Sequence, residues 1–187
     1  MLFLASQSPR RRQLLEQLGY AFGVLDTDVV EAVLDGEAPV DYVRRVARGK
    51  AGAGLLQVAA TPGAVVLGAD TEVVLDGEVF GKPRDSDDAA RMLARLSGRT
   101  HCVLSAVCLV DASREREALN TTEVSFAELS PELIREYVAT GEAFGKAGAY
   151  AIQGRAAAFV AHLAGSHSGV MGLPLHETAR LLREFGL

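Results

Sequence analysis

The chain has 187 residues, 49% of them hydrophobic, which is enough apolar sequence for a substantial core in one domain over residues 1–187. Its formal net charge of −5 argues against general nucleic-acid binding, which needs a basic surface. No stretch approaches the ~20 apolar residues that span a bilayer, and arginines follow the short apolar run at the N-terminus instead of preceding it, unlike a secretory signal.

The first predicted elements are a short buried strand and a helix whose first turn carries arginines. Ser8 is a good N-cap and Pro9 suits the first helical position, so the helix starts there. Cations at this end oppose the helix macrodipole by ~0.3–1 kcal/mol each, so they indicate either a solvated basic cap or an anion site. Arg11 shares the helix face of the leucines that follow it and points inward, whereas Arg12 faces water. This phase favours an anion site.

The rest of the chain alternates between helices and strands, as in a mixed α/β domain with helices packed on a twisted sheet. The predicted elements are a helix from Pro39 to about Ala59, a buried strand over Ala64–Leu67 that ends in a Gly68–Thr71 turn, a hairpin through Asp76-Gly77, a helix capped by Ser86, paired strands over His101–Val110 and Thr122–Phe126 with one solvated face, a helix opened by Ser130-Pro131, a strand over Ala157–Leu163 and a helix from Pro174.

The only two cysteines, Cys102 and Cys108, fall on one predicted strand. At ~3.3 Å per residue they lie about 20 Å apart, far beyond the ~7 Å limit for a disulfide. A reduced, cytoplasmic protein with no membrane partner is the simplest interpretation.

Asp70 is the strongest catalytic candidate on residue chemistry. It follows a buried strand, and ligand sites of α/β proteins favour strand ends. A partly desolvated carboxylate there can accept a proton from water or bind a divalent cation, although a structural Asx turn explains the same residue.

Other charged residues are weaker candidates. Lys82 and Lys146 each follow a glycine, whose uncluttered backbone lets phosphate approach, but isolated lysines are usually surface residues. Lys50 lies in a predicted helix, where a solvated face is the default, and Glu31 lies in a weakly patterned segment.

Ordered segments of the chain together resemble the Maf family of nucleoside triphosphate pyrophosphatases. They are Leu4-Ala5-Ser6, Ser8-Pro9-Arg10-Arg11, Gly68-Ala69-Asp70-Thr71, Lys82-Pro83, Ser97-Gly98 with His101, Lys146-Ala147-Gly148-Ala149-Tyr150, Ile152-Gln153-Gly154, Gly165-Ser166 and Gly172-Leu173-Pro174-Leu175. Each segment is weak alone, but the ordered set spans nearly the whole chain and is specific.

The resemblance implies an α/β domain with an elongated, twisted mixed sheet flanked by helices and two lobes around a cleft, usually in a homodimer. It implies cleavage of a nucleoside triphosphate between the α and β phosphates, with a divalent cation, Mg²⁺ or Mn²⁺. By the same resemblance Asp70 accepts the proton and binds metal with Glu31, while Arg10, Lys50, Lys82 and Ser6 bind substrate.

The resemblance extends to substrate choice. Members that act on dTTP and UTP carry Arg, Thr and Gln at three specificity positions, which fall here on Arg11, Thr71 and Gln153. A glutamine amide both donates and accepts, which suits the edge of uracil or thymine. The resemblance thus implies a dTTP/UTP pyrophosphatase that also removes non-standard pyrimidine nucleotides.

Two positions depart from the family pattern. Gly145 stands where many members have Asp, so any role of that carboxylate is absent, and Ser105 replaces a common Thr, for which we expect a mild effect. A nucleotide-sensing regulator of septum formation with little catalysis is the alternative function.

Overall fold

The computed structural model describes residues 1–187 and contains one seven-stranded mixed sheet flanked by helices, as the sequence predicted. The strands are β1 (Leu2–Ala5), β2 (Phe22–Leu25), β3 (Val65–Leu75), β4 (Glu78–Phe80), β5 (Thr100–Val110), β6 (Glu115–Phe126) and β7 (Val160–Ala164). The helices are α1 (Pro9–Gln17), α2 (Pro39–Gln57), α3 (Ser86–Leu96), α4 (Pro131–Ala139), α5 (His167–Met171) and α6 (Leu175–Glu184), with 3₁₀ turns at Ala147–Ala149 and Arg155–Phe159.

The order of the strands leaves a gap beside the central strand β3. The order is β2-β1-β3-β5-β6-β7, and β4 also pairs with β3. Along one edge, β5 pairs continuously with β3 from Val66 to Val74. Along the other edge, β1 pairs in parallel as far as Leu67 and β4 pairs antiparallel from Val73 onwards. The residues between those two pairings have no neighbouring strand on this edge.

The two faces of the sheet are covered differently. Helix α2 packs on one face over a single apolar cluster that includes Ala47, Ala51 and Val66. On the other face, one cluster forms under α1 and α6 and a larger one under α3 and α4. These two clusters lie on either side of the paired hydroxyls of Thr71 and Ser105, and they form the two lobes.

Several local predictions are confirmed. Ser8 caps α1 by accepting a hydrogen bond from the Arg11 N–H, and Pro9 begins the helix. Asp76 and Gly77 form the β3–β4 turn with positive φ angles of 53° and 80°, as a two-residue hairpin with the right-handed strand twist requires. Both cysteines are free and lie on β5.

Other boundaries differ from the predictions. The Gly68–Thr71 segment is the middle of the continuous strand β3, not a turn, because β5 pairs with every residue through it. The side chain of Asp85, not Ser86, caps α3. The last strand begins only at Val160, after a 3₁₀ turn, and β5 is buried on both faces because helices cover both. No helix combines the length and hydropathy needed to cross a bilayer.

Candidate active site

Asp70 lies in the gap beside β3, and its main hydrogen-bond partner, Lys50, reaches it because of a glycine in the strand. A Cβ atom at Gly68 would collide with the backbone of Ala47 and Ala51, so the missing side chain lets α2 lie directly on the strand. Lys50, on the same face of α2, then reaches the strand, and its Nζ lies 2.8 Å from Asp70 Oδ1. Both residues are buried, at 7% and 5% exposure, so Lys50 does not lie on a solvated helix face.

Glu31 joins this pair to a second lysine. Its Oε1 lies 2.6 Å from Lys50 Nζ and its Oε2 lies 2.7 Å from Lys82 Nζ. Burial alone raises the pKa of Glu31, but the hydrogen bonds from the two lysines outweigh it and lower the pKa to about 2. Glu31 therefore stays ionised, and Lys82 at the rim is held against the buried cluster.

Glu72 is a functional candidate that the sequence interpretation missed. It lies two residues after Asp70, so its side chain is on the same face of β3, and it is only 8% exposed. Burial, reinforced by the charges of Asp70 and Glu31, raises its pKa to about 8. The alternation of side chains along one continuous strand places Glu72 on the face of Asp70, but the turn predicted at residues 68–71 divided that strand.

Two arginines from the first turn of α1 close another side of the site. Arg11 Nε donates to the Gly172 carbonyl at 2.8 Å, and its Nη1 lies 3.3 Å from Ser6 Oγ. Arg10 Nε donates to the Met171 carbonyl at 3.3 Å. Burial lowers the pKa of Arg11, and the carboxylates of Asp70, Glu31 and Glu72 act in the opposite direction. The inward orientation expected from helical phase is confirmed, and Arg12 is exposed.

These groups surround a cavity of about 440 Å³, within the range of small-molecule sites. The lining combines two kinds of side chain. One set is charged and consists of the arginines, lysines and carboxylates described above, together with Lys146. The other set is neutral and includes the polar side chains of Thr71 and Gln153 and the apolar side chains of Val103, Ile152, Val170 and Met171.

All nine residues assigned a role from the sequence line this one cavity. They are Ser6, Arg10, Arg11, Glu31, Lys50, Asp70, Thr71, Lys82 and Gln153. Gly145 lines it too, so the departure from the family pattern lies at the site itself. The structure thus brings together side chains that are up to 147 positions apart in sequence, from Ser6 to Gln153.

Two carboxylates of the site each have an oxygen without a hydrogen-bond partner. Asp70 Oδ2 and Glu72 Oε2 are both buried, and neither has a hydrogen-bond partner in the protein. Buried carboxylate oxygens without partners are costly, and carboxylates are the ligands that Mg²⁺ prefers. These two oxygens are donors of the kind that a hard divalent cation prefers, but the structure has no group of three or more His, Cys, Asp or Glu side chains that could hold a metal ion. Both Glu31 oxygens are bonded to lysines, so its binding to a metal would require one lysine to move.

A cleft that is lined by cations and by neutral polar and apolar side chains suits a ligand with an anionic part and a polar ring. Among known proteins, the family model described as Maf-like protein matches residues 1–185. The chain belongs to this family.

Relatives that match along their whole length carry explicit names. The chain is 58% identical over 188 residues to the dTTP/UTP pyrophosphatase of Xanthomonas euvesicatoria, covering 100% of this chain and 99% of the relative. It is 58% identical over 186 residues to a nucleoside triphosphate pyrophosphatase of Xylella fastidiosa, covering 99% and 98%. The solved structure of the Staphylococcus aureus Ham1 protein aligns with a TM-score of 0.46 at 13% identity, over 68% of this chain and 72% of that chain.

Proposed function

We propose that this protein hydrolyses dTTP and UTP, and modified pyrimidine relatives of them, to the monophosphate and pyrophosphate. The observation that carries the proposal is the position of Asp70 in the β3 gap, where it lines a cleft that cations also line, with one oxygen bonded to Lys50 and the other without a hydrogen-bond partner. The full-length relatives named dTTP/UTP pyrophosphatase support the choice of substrate.

Asp70 is the general base in this proposal. Its free Oδ2 accepts a proton from the attacking water, while the ammonium of Lys50 at Oδ1 keeps the carboxylate fixed. The α phosphorus is attacked, its bond to the bridging oxygen breaks, and pyrophosphate leaves with that oxygen. Positioning and charge neutralisation provide most of the acceleration in such transfers.

The cations around Asp70 bind the triphosphate. Lys82, Arg10 and Lys146 are partly exposed at the cleft, and the N-terminus of α1 opens onto it at Ser8. Arg11 is already bonded to Gly172 and Ser6, so it is a fixed donor whose charge faces the carboxylates.

A divalent cation, Mg²⁺ or Mn²⁺, is the proposed cofactor. Glu72 would hold it through its free oxygen, and Asp70 and Glu31 are further candidate ligands. Because Oδ2 of Asp70 accepts the proton, Asp70 would bind the cation through Oδ1, in place of Lys50. When bound, it supplies positive charge that neutralises the phosphate oxygens in the transition state.

The test is a panel of nucleoside triphosphates with Mg²⁺, with monophosphate and pyrophosphate measured separately. We expect pyrophosphate from dTTP and UTP and no release of orthophosphate. Turnover confined to purine triphosphates would overturn the substrate assignment. Tight binding of dTTP without turnover would favour the nucleotide-sensing regulator, for which the missing carboxylate at Gly145 is the relevant feature.

The assembly is also a proposal. We infer a homodimer from the family resemblance, and light scattering after size-exclusion chromatography tests it. The expected mass is twice that of one chain, and a mass of one chain would contradict it.

A further inference from the structure

Two hydroxyls form a cross-strand pair beside the cleft. Thr71 of β3 lies directly opposite Ser105 of β5, and Thr71 lines the cavity. We propose that Ser105 is a positioning residue that makes Thr71 an obligatory hydrogen-bond acceptor toward the cleft, so that the site selects thymine and uracil over cytosine. This inference deepens the proposed function and rests on it.

The direction of the hydrogen bonds follows from counting protons. Ser105 Oγ lies 2.6 Å from the Gly169 carbonyl oxygen. A carbonyl cannot donate and a serine hydroxyl has one proton, so Ser105 donates to Gly169. Thr71 Oγ1 lies 2.9 Å from Ser105 Oγ, and Ser105 has no second proton to give. Thr71 therefore donates to Ser105, and only lone pairs remain on its oxygen.

The fold holds this chain of hydroxyls in place without a ligand. Ser105 is 1% exposed and sits in the continuous β3–β5 pairing. Gly169 belongs to α5, whose N-cap Ser166 accepts a hydrogen bond from the Gly169 N–H at 3.0 Å. Turning the Thr71 hydroxyl toward the cleft would leave the buried Ser105 oxygen without its donor, which costs free energy.

The consequence is a choice between bases at one ring atom. N3 of uracil and thymine carries a proton and can donate to the Thr71 oxygen, whereas N3 of cytosine is an acceptor and would face another lone pair. Gln153 does not make this choice alone, because its side chain is exposed and its amide can turn over to present either a donor or an acceptor. A fixed polar group discriminates where an adaptable one does not.

The experiment compares kcat/KM for dTTP and dCTP in the wild type and in Ser105→Ala. Removing the Ser105 oxygen frees the Thr71 proton to turn toward cytosine N3. We expect the preference for dTTP to fall by about tenfold, mainly through a gain on dCTP, as one hydrogen bond is worth. Ser105→Thr keeps the hydroxyl and should retain the wild-type preference.

The matched control is Ser125→Ala. Ser125 forms the same kind of cross-strand hydroxyl pair with Thr100, at 2.7 Å on β5 and β6 away from the cleft. Its removal should leave the base preference unchanged.

A second variant keeps the test decisive if Ser105→Ala does not fold. Thr71→Val removes the acceptor while keeping the shape, so the preference should fall through a loss on dTTP, with little gain on dCTP. An unchanged ratio of dTTP to dCTP in folded Ser105→Ala would overturn the role of Ser105, and an unchanged ratio in Thr71→Val would overturn the Thr71 acceptor on which that role depends. The same ratios are measured as dissociation constants with α,β-imido analogues. Analogue binding without any turnover of natural substrates would contradict the proposed function but still decide the inference.

Discussion

The two edges of β3 are built differently from the same eleven residues. On one edge, β5 continues the hydrogen-bond ladder without a break and carries buried apolar residues into all three apolar clusters. On the other edge, the pairing of β3 with β1 stops at Leu67 and its pairing with β4 starts at Val73. Asp70 and Glu72 lie between these two pairings. The continuous edge stabilises the fold, and the interrupted edge provides room for a ligand.

The difference also separates two kinds of ion pair. At the interrupted edge, Lys50 and Asp70 are buried and bonded to each other. Elsewhere, pairs such as Arg95–Glu78 and Arg99–Asp76 are exposed and contribute little to stability. Buried charge in this protein is therefore concentrated where chemistry is proposed. The variants below break or sharpen this comparison.

The largest effect is expected from Asp70→Asn, at the interrupted edge. Asn keeps the size and can accept from Lys50 but cannot accept the proton of water, so kcat for dTTP should fall by about 10²–10⁴-fold. Pyrophosphate release measures it, and calorimetry should show dTTP affinity changed only severalfold. Asp76→Asn, in the exposed β3–β4 turn of the same strand, is the control and should keep full activity. A kcat near that of the wild type would remove Asp70 from the role of base.

At the continuous edge, Leu109→Ala should affect stability without affecting chemistry. Leu109 is fully buried in the cluster under α1 and α6, so the cavity should cost about 2–5 kcal/mol in the free energy of unfolding. Urea denaturation measures this cost. Under conditions where the variant is folded, kcat should equal that of the wild type. A loss of kcat would contradict the assignment of stability alone to the continuous edge.

Gly68→Ala should affect both stability and activity, because α2 packs directly on β3 at Gly68. Its new Cβ would press on the backbone of Ala47 and Ala51, which should cost about 1–3 kcal/mol and shift Lys50 away from Asp70. Gly52→Ala is the control on α2 itself: nothing lies within 4 Å of its Cβ position, and it should stabilise the helix by up to about 1 kcal/mol. Equal stability of both variants would contradict the close approach at Gly68.

The smallest effect is expected for Glu72→Gln. The raised pKa of Glu72, about 8, means that Mn²⁺ must displace the proton of this carboxyl at neutral pH. Losing this ligand should weaken Mn²⁺ binding to the free protein about tenfold, measured by electron paramagnetic resonance of unbound Mn²⁺. Glu78→Gln, in an exposed pair with Arg95, should leave the Mn²⁺ affinity unchanged. Equal affinity in the two variants would exclude Glu72 as a ligand.

Local patterns predicted the helices and most strands well, but the continuity of β3 through Gly68 could not be predicted without the fold. Ser8 and Pro9 determine the start of α1, and helical phase then determines the direction of Arg11, because both effects act within one or two turns. The strand through Asp70 was predicted to end early because glycine is usually a breaker. Gly68 is instead required by the approach of α2, a contact with residues more than fifteen positions away in sequence.

For two charged residues, the sequence contained a periodicity that the interpretation did not use. Lys50 lies four residues after Val46 and seven after Val43, which are both buried, so its phase already placed it on the inner face of α2. Glu72 follows Asp70 by two residues, the repeat of a strand. The role proposed for Ser105 could not be predicted, because it depends on Gly169, which is 64 positions away along the chain.

The most direct test of the account is where the nucleotide binds. We would titrate ¹⁵N-labelled Asp70→Asn with dTTP and Mg²⁺ and follow the backbone amide resonances. The account predicts shifts concentrated in residues 6–11, 68–72 and 145–153, on the interrupted edge of β3 and around it. Shifts confined to other surfaces, with residues 68–72 unmoved, would contradict the assignment of this gap as the active site.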